Sequence, residues 1–327
     1  MKKFILFILI TLIIVGSFGC VNDRNSTLVQ EAVDEQANAT QNNGYTIALV
    51  MKTLTNPFFV DMENGARKAE NEFGIRLIVR TAAQETSIEQ QIQIVEELIL
   101  QKVNAIVIAP GSSVQLVSVL KKAQDAGIKI VNIDNRFDPA ECEKQGLTGV
   151  PFISVRNDDA AYQSTEEIIK LAKFPCEAMI IEGIKDAENS QLRVAGAKKG
   201  FSETEGVELV ALESADWKID EAYELAKRLF SEHPNVKLVF AANDMMALGV
   251  VQYLKESNRK DVLLAGFDNL DDARQAIKDG WMQASIDQQA DVQGYMGVKT
   301  AINMIEGVEV EAETYIPIKV ITDENIE

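Results

Sequence analysis

Short runs of β-branched and apolar residues alternate along this chain with longer stretches whose apolar positions recur at helical spacing. That alternation is the pattern of a parallel sheet wrapped by helices. Runs at 45–50, 75–79, 105–108 and 128–133 predict four strands, and Ile88, Ile92, Val95 and Ile99 predict the buried stripe of a helix between the second and third. An irregular segment at 137–149 interrupts the series, which then restarts. Runs at 178–181, 208–212, 238–241 and 262–265 predict a second set of strands, separated by helical stretches at 160–173, 220–230 and 245–256. Two such sets predict an α/β protein of two similar doubly wound, parallel-sheet lobes.

The N-terminus follows a different pattern. Lys2 and Lys3 precede an apolar run over 4–18, and Gly19-Cys20 ends it. The run is short against the ~20 residues a membrane-spanning helix needs, and its basic start and small-residue end fit an export signal. A cysteine at that place resembles a lipoprotein signal, which implies an export signal over 1–20 ending at a lipidated Cys20, removal of the leader ahead of that cysteine, and a membrane anchor needing at least two acyl chains. The protein would then face the periplasm or the cell exterior. Residues 21–44 are polar, lack an apolar period and read as a flexible tether. Two sequons fall there, at Asn25 and Asn38, but Asn-rich segments produce these by chance.

Composition narrows the function. With 46% apolar and 25% charged residues the 327-residue chain is ordinary globular protein, long enough for about two domains. A formal net charge of -18 opposes binding to nucleic acid. The single histidine, His233, sits in a polar segment before Pro234 and reads as a surface residue, which leaves no multi-histidine metal site. Neither a nucleophile-base pair nor a glycine-rich phosphate loop appears, so an enzyme, a metal centre and a cofactor are not expected. A regulator built on the same lobes would need a DNA-binding head where this chain has a leader and tether.

In open parallel sheets ligands bind beyond the carboxyl ends of the strands. Polar residues follow four apolar runs here: Asn56, Asp134-Asn135-Arg136, Asn243-Asp244 and Asp268. Each could equally cap a helix or turn, and Phe58 and Phe59 could be core residues. The recurrence at four independent strand ends reads as a site. At this point the chain from 45 onward resembles the ribose- and galactose-type periplasmic sugar-binding proteins, through Asn56-Pro57-Phe58-Phe59, the run from Val239 through Asn243-Asp244 to Gly249, Ala265-Gly266-Phe267-Asp268, and Ala284-Ser285-Ile286-Asp287-Gln288. The resemblance implies that Asn56, Asp134, Arg193, Asn243, Asp268 and Gln288 hydrogen-bond sugar hydroxyls while Phe58, Phe59 and Trp217 cover the ring. Such a mixture suits a hydroxyl, which donates and accepts at once. Where the ribose pattern has Asp then Arg, this chain has Asp134-Asn135-Arg136, so either Asn135 stands in for the charge or Arg136 enters by another route. Trp217 replaces a phenylalanine of that pattern.

The resemblance further implies three crossings between lobes, near 154–157, 287–289 and 315–318. Lobe one would be 45–153 plus 290–315, including a helix from Ala290 to Gly307, and lobe two 154–289 plus 316–327. It also implies a monomer that closes by hinge motion on a small neutral sugar or polyol and delivers it to an ABC transporter permease. A role presenting the sugar to a chemoreceptor or sensor kinase is the alternative. Cys142 and Cys176 should lie at opposite ends of their lobes, one near the cleft and one away from it, which argues against a bridge between them.

Overall fold

The computed structural model describes residues 44–326. The leader, Cys20 and both sequons lie outside the described residues. The chain runs through β1 (Thr46–Met51), α1 (Pro57–Phe73), β2 (Arg76–Thr81), α2 (Ile88–Gln101), β3 (Ala105–Ile108), α3 (Val117–Asp125), β4 (Lys129–Ile133), α4 (Pro139–Gln145) and β5 (Phe152–Ser154). A second series follows: α5 (Asn157–Leu171), β6 (Cys176–Glu182), α6 (Glu188–Glu203), β7 (Val207–Ser214), α7 (Ile219–Glu232), β8 (Val236–Ala241), α8 (Asp244–Glu256), β9 (Leu263–Ala265), α9 (Asp271–Lys278) and β10 (Ser285–Asp287). The chain ends with α10 (Ala290–Glu306), β11 (Glu313–Tyr315) and β12 (Lys319–Ile321).

The first sheet has six parallel strands in the order β2-β1-β3-β4-β5-β11. The second has the order β7-β6-β8-β9, again parallel. A bridge between Ala265 and Ala284 and a bond from Asp268 N to Ile286 O at 2.8 Å carry it on to β10, which pairs antiparallel with β12. Both lobes therefore repeat one doubly wound order, with its switch beside the first strand of the set. Residues 155–156, 288–289 and 316–318 run between the two sheets.

Strands covered on both faces read as unbroken apolar runs. In β1 the period of two sends Ile47, Leu49 and Met51 to one core and Ala48 and Val50 to the other. On the first of these faces α1 and α10 approach closely enough that a Cβ on Gly65 would stand 1.7 Å from Asp291 O, and one on Gly294 would stand 2.0 Å from Met62 O. Only glycine permits that distance, so the C-terminal helix is keyed to the first helix of the chain.

The structure corrects one reading of the sequence. The segment 137–149 is not irregular throughout: Asp138 caps α4 by accepting from Glu141 N at 2.7 Å, and Pro139 opens the helix. Seven residues are too few to show a periodic stripe. Cys142 and Cys176 are both free. Among the described residues no helix is long and apolar enough to cross a membrane.

Candidate functional site

The loops after β1, β2 and β4 face the loops after β6, β7, β8, β9 and β10 across one cavity. Its wall is Lys52, Asn56, Phe58, Phe59, Glu85, Asp134, Asn189, Arg193, Trp217, Asn243, Asp268 and Gln288. Nine of the ten residues expected from the sequence are thus brought together. The wall encloses about 230 Å³ of empty space, counted together with its opening to solvent.

Backbone conformation aims several of these side chains. Asp134, Trp217 and Asp268 hold φ of 63°, 67° and 127°, values that residues with a side chain seldom adopt and that cluster at functional sites. The Trp217 ring lies against Gly183, where a Cβ would stand 2.2 Å from it. Asn56 and Asn243 act in two ways at once. Asn56 Oδ1 caps α1 by accepting from Phe58 N at 3.1 Å and its Nδ2 donates to Glu85 Oε1 at 3.0 Å. Asn243 Oδ1 caps α8 by accepting from Met246 N at 2.9 Å, leaving its Nδ2 donors. The capping and binding readings of these asparagines are compatible.

Two ionic groups organise the wall. In the first, Lys52 Nζ stands 2.9 Å from Asp134 Oδ2 and 3.8 Å from Glu85 Oε2, with the Phe59 and Trp217 rings within 5.6 and 5.9 Å. In the second, Arg193 donates to Asn157 Oδ1 at 2.8 Å and Ala242 O at 2.9 Å, lies 3.7 Å from Asp268 Oδ1, and stacks 3.7 Å from the Phe267 ring centroid. Gln288 Nε2 donates to Asp268 Oδ1 at 2.7 Å, which leaves Asp268 Oδ2 as the freer acceptor.

Burial pushes the Asp268 carboxyl well above its ordinary value, Arg193 pulls it down, and the nearby Asp244 raises it again. Burial likewise raises Glu85, against the opposing pull of Lys52 and the Asn56 hydrogen bond. Arg193 is lowered by burial, with Asp268 the largest opposing influence. Behind the wall, Asp244 accepts from Leu270 N at 2.9 Å and Ser285 Oγ at 2.8 Å, and burial lifts its carboxyl to about 6. The wall carries two cations, Lys52 and Arg193, against three carboxylates, Glu85, Asp134 and Asp268. It has no positive excess to hold a phosphate or a dicarboxylate.

Two wall atoms, Asn189 Oδ1 and Trp217 Nε1, are buried without a protein partner, and Asp134 Oδ2 has only its ion pair with Lys52. Buried polar atoms left open in this way are matched by a ligand that donates and accepts.

Asn135 is the exception among the expected residues. It is fully buried outside the wall, where Nδ2 donates to Pro110 O at 3.2 Å and Oδ1 accepts from Asn189 N at 3.2 Å. Arg136 does not enter either: it pairs with Glu313 at 2.7 Å and lies 4.4 Å from the Phe152 ring centroid. The second cation of the wall is Lys52, which the sequence reading missed together with Glu85 and Asn189. Asn189 had a detectable signal, since it precedes Arg193 by one helical turn on the same face.

A family model described as periplasmic binding protein domain matches residues 47–309. The chain is 40% identical over 270 residues to a D-ribose/D-allose-binding protein of Pseudomonas aeruginosa, covering 82% of this chain and 84% of that protein. It is 32% identical to the D-allose-binding periplasmic protein of Escherichia coli, covering 78% and 83% respectively. A crystal structure of an ABC transporter periplasmic solute-binding protein from Actinobacillus succinogenes with bound D-allose superposes with a TM-score of 0.80 at 32% identity, covering 86% of this chain and 98% of that one. In fold, in matched family model and in similarity along most of its length, the chain belongs to the periplasmic binding proteins of the ribose- and galactose-type sugar-binding family.

Proposed function

We propose that the protein is the solute-binding component of an ABC-type sugar import system, and that its ligand is a neutral monosaccharide of the ribose and allose type. The observation that carries this reading is the wall itself: amides, carboxylates and two cations around one cavity, with Trp217, Phe58 and Phe59 among its lining and no positive excess. Relatives that bind D-ribose and D-allose by name support the choice of sugars. The wall residues are read as ligand contacts, and the stretches 155–156, 288–289 and 316–318 as the hinge. A ligand touched by both lobes favours closure through its higher affinity for the closed state. The protein acts as a binder and not as an enzyme, and works as a monomer.

Titration with D-allose and D-ribose is expected to quench or shift tryptophan emission, because Trp217 is in the wall whereas Trp281 stands outside it beside Lys260. Trp217→Phe should abolish most of that signal and weaken binding by about 1 kcal/mol, the loss of part of the stacked area. Saturating sugar should raise the melting temperature, a ligand at 100 times its Kd adding about 2.7 kcal/mol. Strong binding of a phosphorylated sugar with no response to neutral ones would overturn the ligand class.

The protein is further read as a lipoprotein, tethered to the membrane through Cys20 by the polar segment 21–44. Cys20→Ser is expected to leave the protein as an unprocessed precursor without acyl chains, and metabolic labelling with a fatty acid reads this directly. Equal labelling of wild type and variant would remove the anchor from the account.

A further inference from the structure

Helix α6 starts at Glu188 without a cap of its own. Its N-cap residue, Ala187, holds the extended backbone that capping requires but has no side-chain oxygen. The N–H groups of the first turn therefore need partners from elsewhere. Two of them find partners on the other lobe. Glu188 N donates to Ser113 Oγ at 3.0 Å and Asn189 N donates to Asn135 Oδ1 at 3.2 Å. Ser113 stands in the loop after β3 and Asn135 directly after β4, both buried, and Ser113 Oγ lies 3.4 Å from Asn135 Oδ1. The bond from Asn135 Nδ2 to Pro110 O turns the acceptor toward the helix. Alongside, Ser112 Oγ donates to Asp186 Oδ2 at 3.0 Å. The helix so capped is the one that carries Asn189 and Arg193 into the sugar-site wall.

We propose that Ser113 and Asn135 cap helix α6 in trans, and that this exchange of caps between lobes sets the closing equilibrium and hence the apparent sugar affinity without touching the sugar. The caps form only when the lobes meet. Opening returns two helix N–H groups to water, whereas closing satisfies both with fixed oxygens, so each cap biases the population toward the closed state that binds sugar. A side-chain cap carries a stability that corresponds to about 2- to 30-fold in an equilibrium constant. Loss of one cap should weaken apparent affinity by that factor, mainly through faster dissociation.

Two substitutions of opposite effect on the helix test the proposal. Ser113→Ala removes a cap that is present only in the closed state, and should raise the Kd for D-allose and its dissociation rate. Ala187→Ser gives α6 its own cap in both states, so it should raise the melting temperature of the sugar-free protein and yet weaken D-allose binding by about 2- to 10-fold. A merely structural role predicts that stabilising the helix leaves affinity intact or improves it. Wild-type affinity in Ser113→Ala, or in an Ala187→Ser protein whose melting temperature has risen, would overturn the proposal. The titration rests on the sugar assignment, and a third measurement does not. Paramagnetic relaxation between labelled lobes of the sugar-free protein detects a minor closed population, which Ser113→Ala should diminish. An unchanged closed population would sink the trans caps, while failure of D-allose to bind wild type would sink only the ligand.

Discussion

Replacing Asp268 by alanine is expected to weaken sugar binding by about 30- to 1,000-fold, or ~2–4 kcal/mol. The Asp268 side chain is buried after β9, with Gln288 on Oδ1 and Arg193 beside it. Sugar hydroxyls that donate to it in the closed cavity have no water to turn to once the carboxylate is gone, so the alanine variant leaves them unpaired at full desolvation cost. Asp268→Asn keeps one acceptor and should lose less. Because burial holds the Asp268 carboxyl well above its ordinary value, affinity should fall as pH drops through that raised value, where the ionised acceptor is converted to an acid. Calorimetric titration of the three proteins at several pH values reads all of this. Undiminished affinity in Asp268→Ala would move the ligand contacts elsewhere.

Lys52→Met is expected to destabilise the protein by about 3–5 kcal/mol, measured by equilibrium unfolding in urea at neutral pH. Lys52 Nζ lies between Asp134 Oδ2 at 2.9 Å and Glu85 Oε2 at 3.8 Å, and all three side chains are buried or nearly so. Methionine fills similar space but leaves two buried carboxylates without their cation. A carboxyl whose folded-state pKa stands above its unfolded value costs stability when ionised, and the cost vanishes once pH falls below the unfolded value of about 4. Burial already raises Glu85 in the intact protein, so the deficit of Lys52→Met should shrink as pH is lowered from neutral toward 4. A deficit independent of pH would show that packing and not charge is at stake.

Much of this arrangement was legible in the sequence because it is local. An apolar run followed by Asn56, Asp134, Asn243 or Asp268 states both a strand and its carboxyl end, and the doubly wound order then sends those ends to one side. What escaped depends on contacts between distant segments. Lys52 directly follows β1 and has the composition of a surface residue; only Glu85 from the β2 loop and Asp134 from the β4 end make it a buried cation. Glu85 sits among polar residues that look solvated. Strands β5, β10, β11 and β12 have three residues each, too few for a period, and exist because partners from elsewhere in the chain pair with them. Asn135 was placed on the correct strand end and given the wrong partner, since no local pattern distinguishes an amide facing a cavity from one facing a helix terminus.

The chain order of the first lobe has a consequence for how the molecule is made. Strands β1 to β5 emerge early, but β11 at the edge of their sheet and α10, keyed to α1 through Gly65 and Gly294, come from the far end of the chain. The second lobe from α5 to β10 is one continuous segment. During synthesis from the N-terminus the first lobe must wait with the face of α1 uncovered and a sheet edge unpaired, while its neighbour can complete nearly all its own contacts. Loops closed over such separations are slow to form, and an exposed edge recruits other chains. The early, incomplete lobe is therefore where a nascent chain is most open to aggregation and most in need of a holding chaperone.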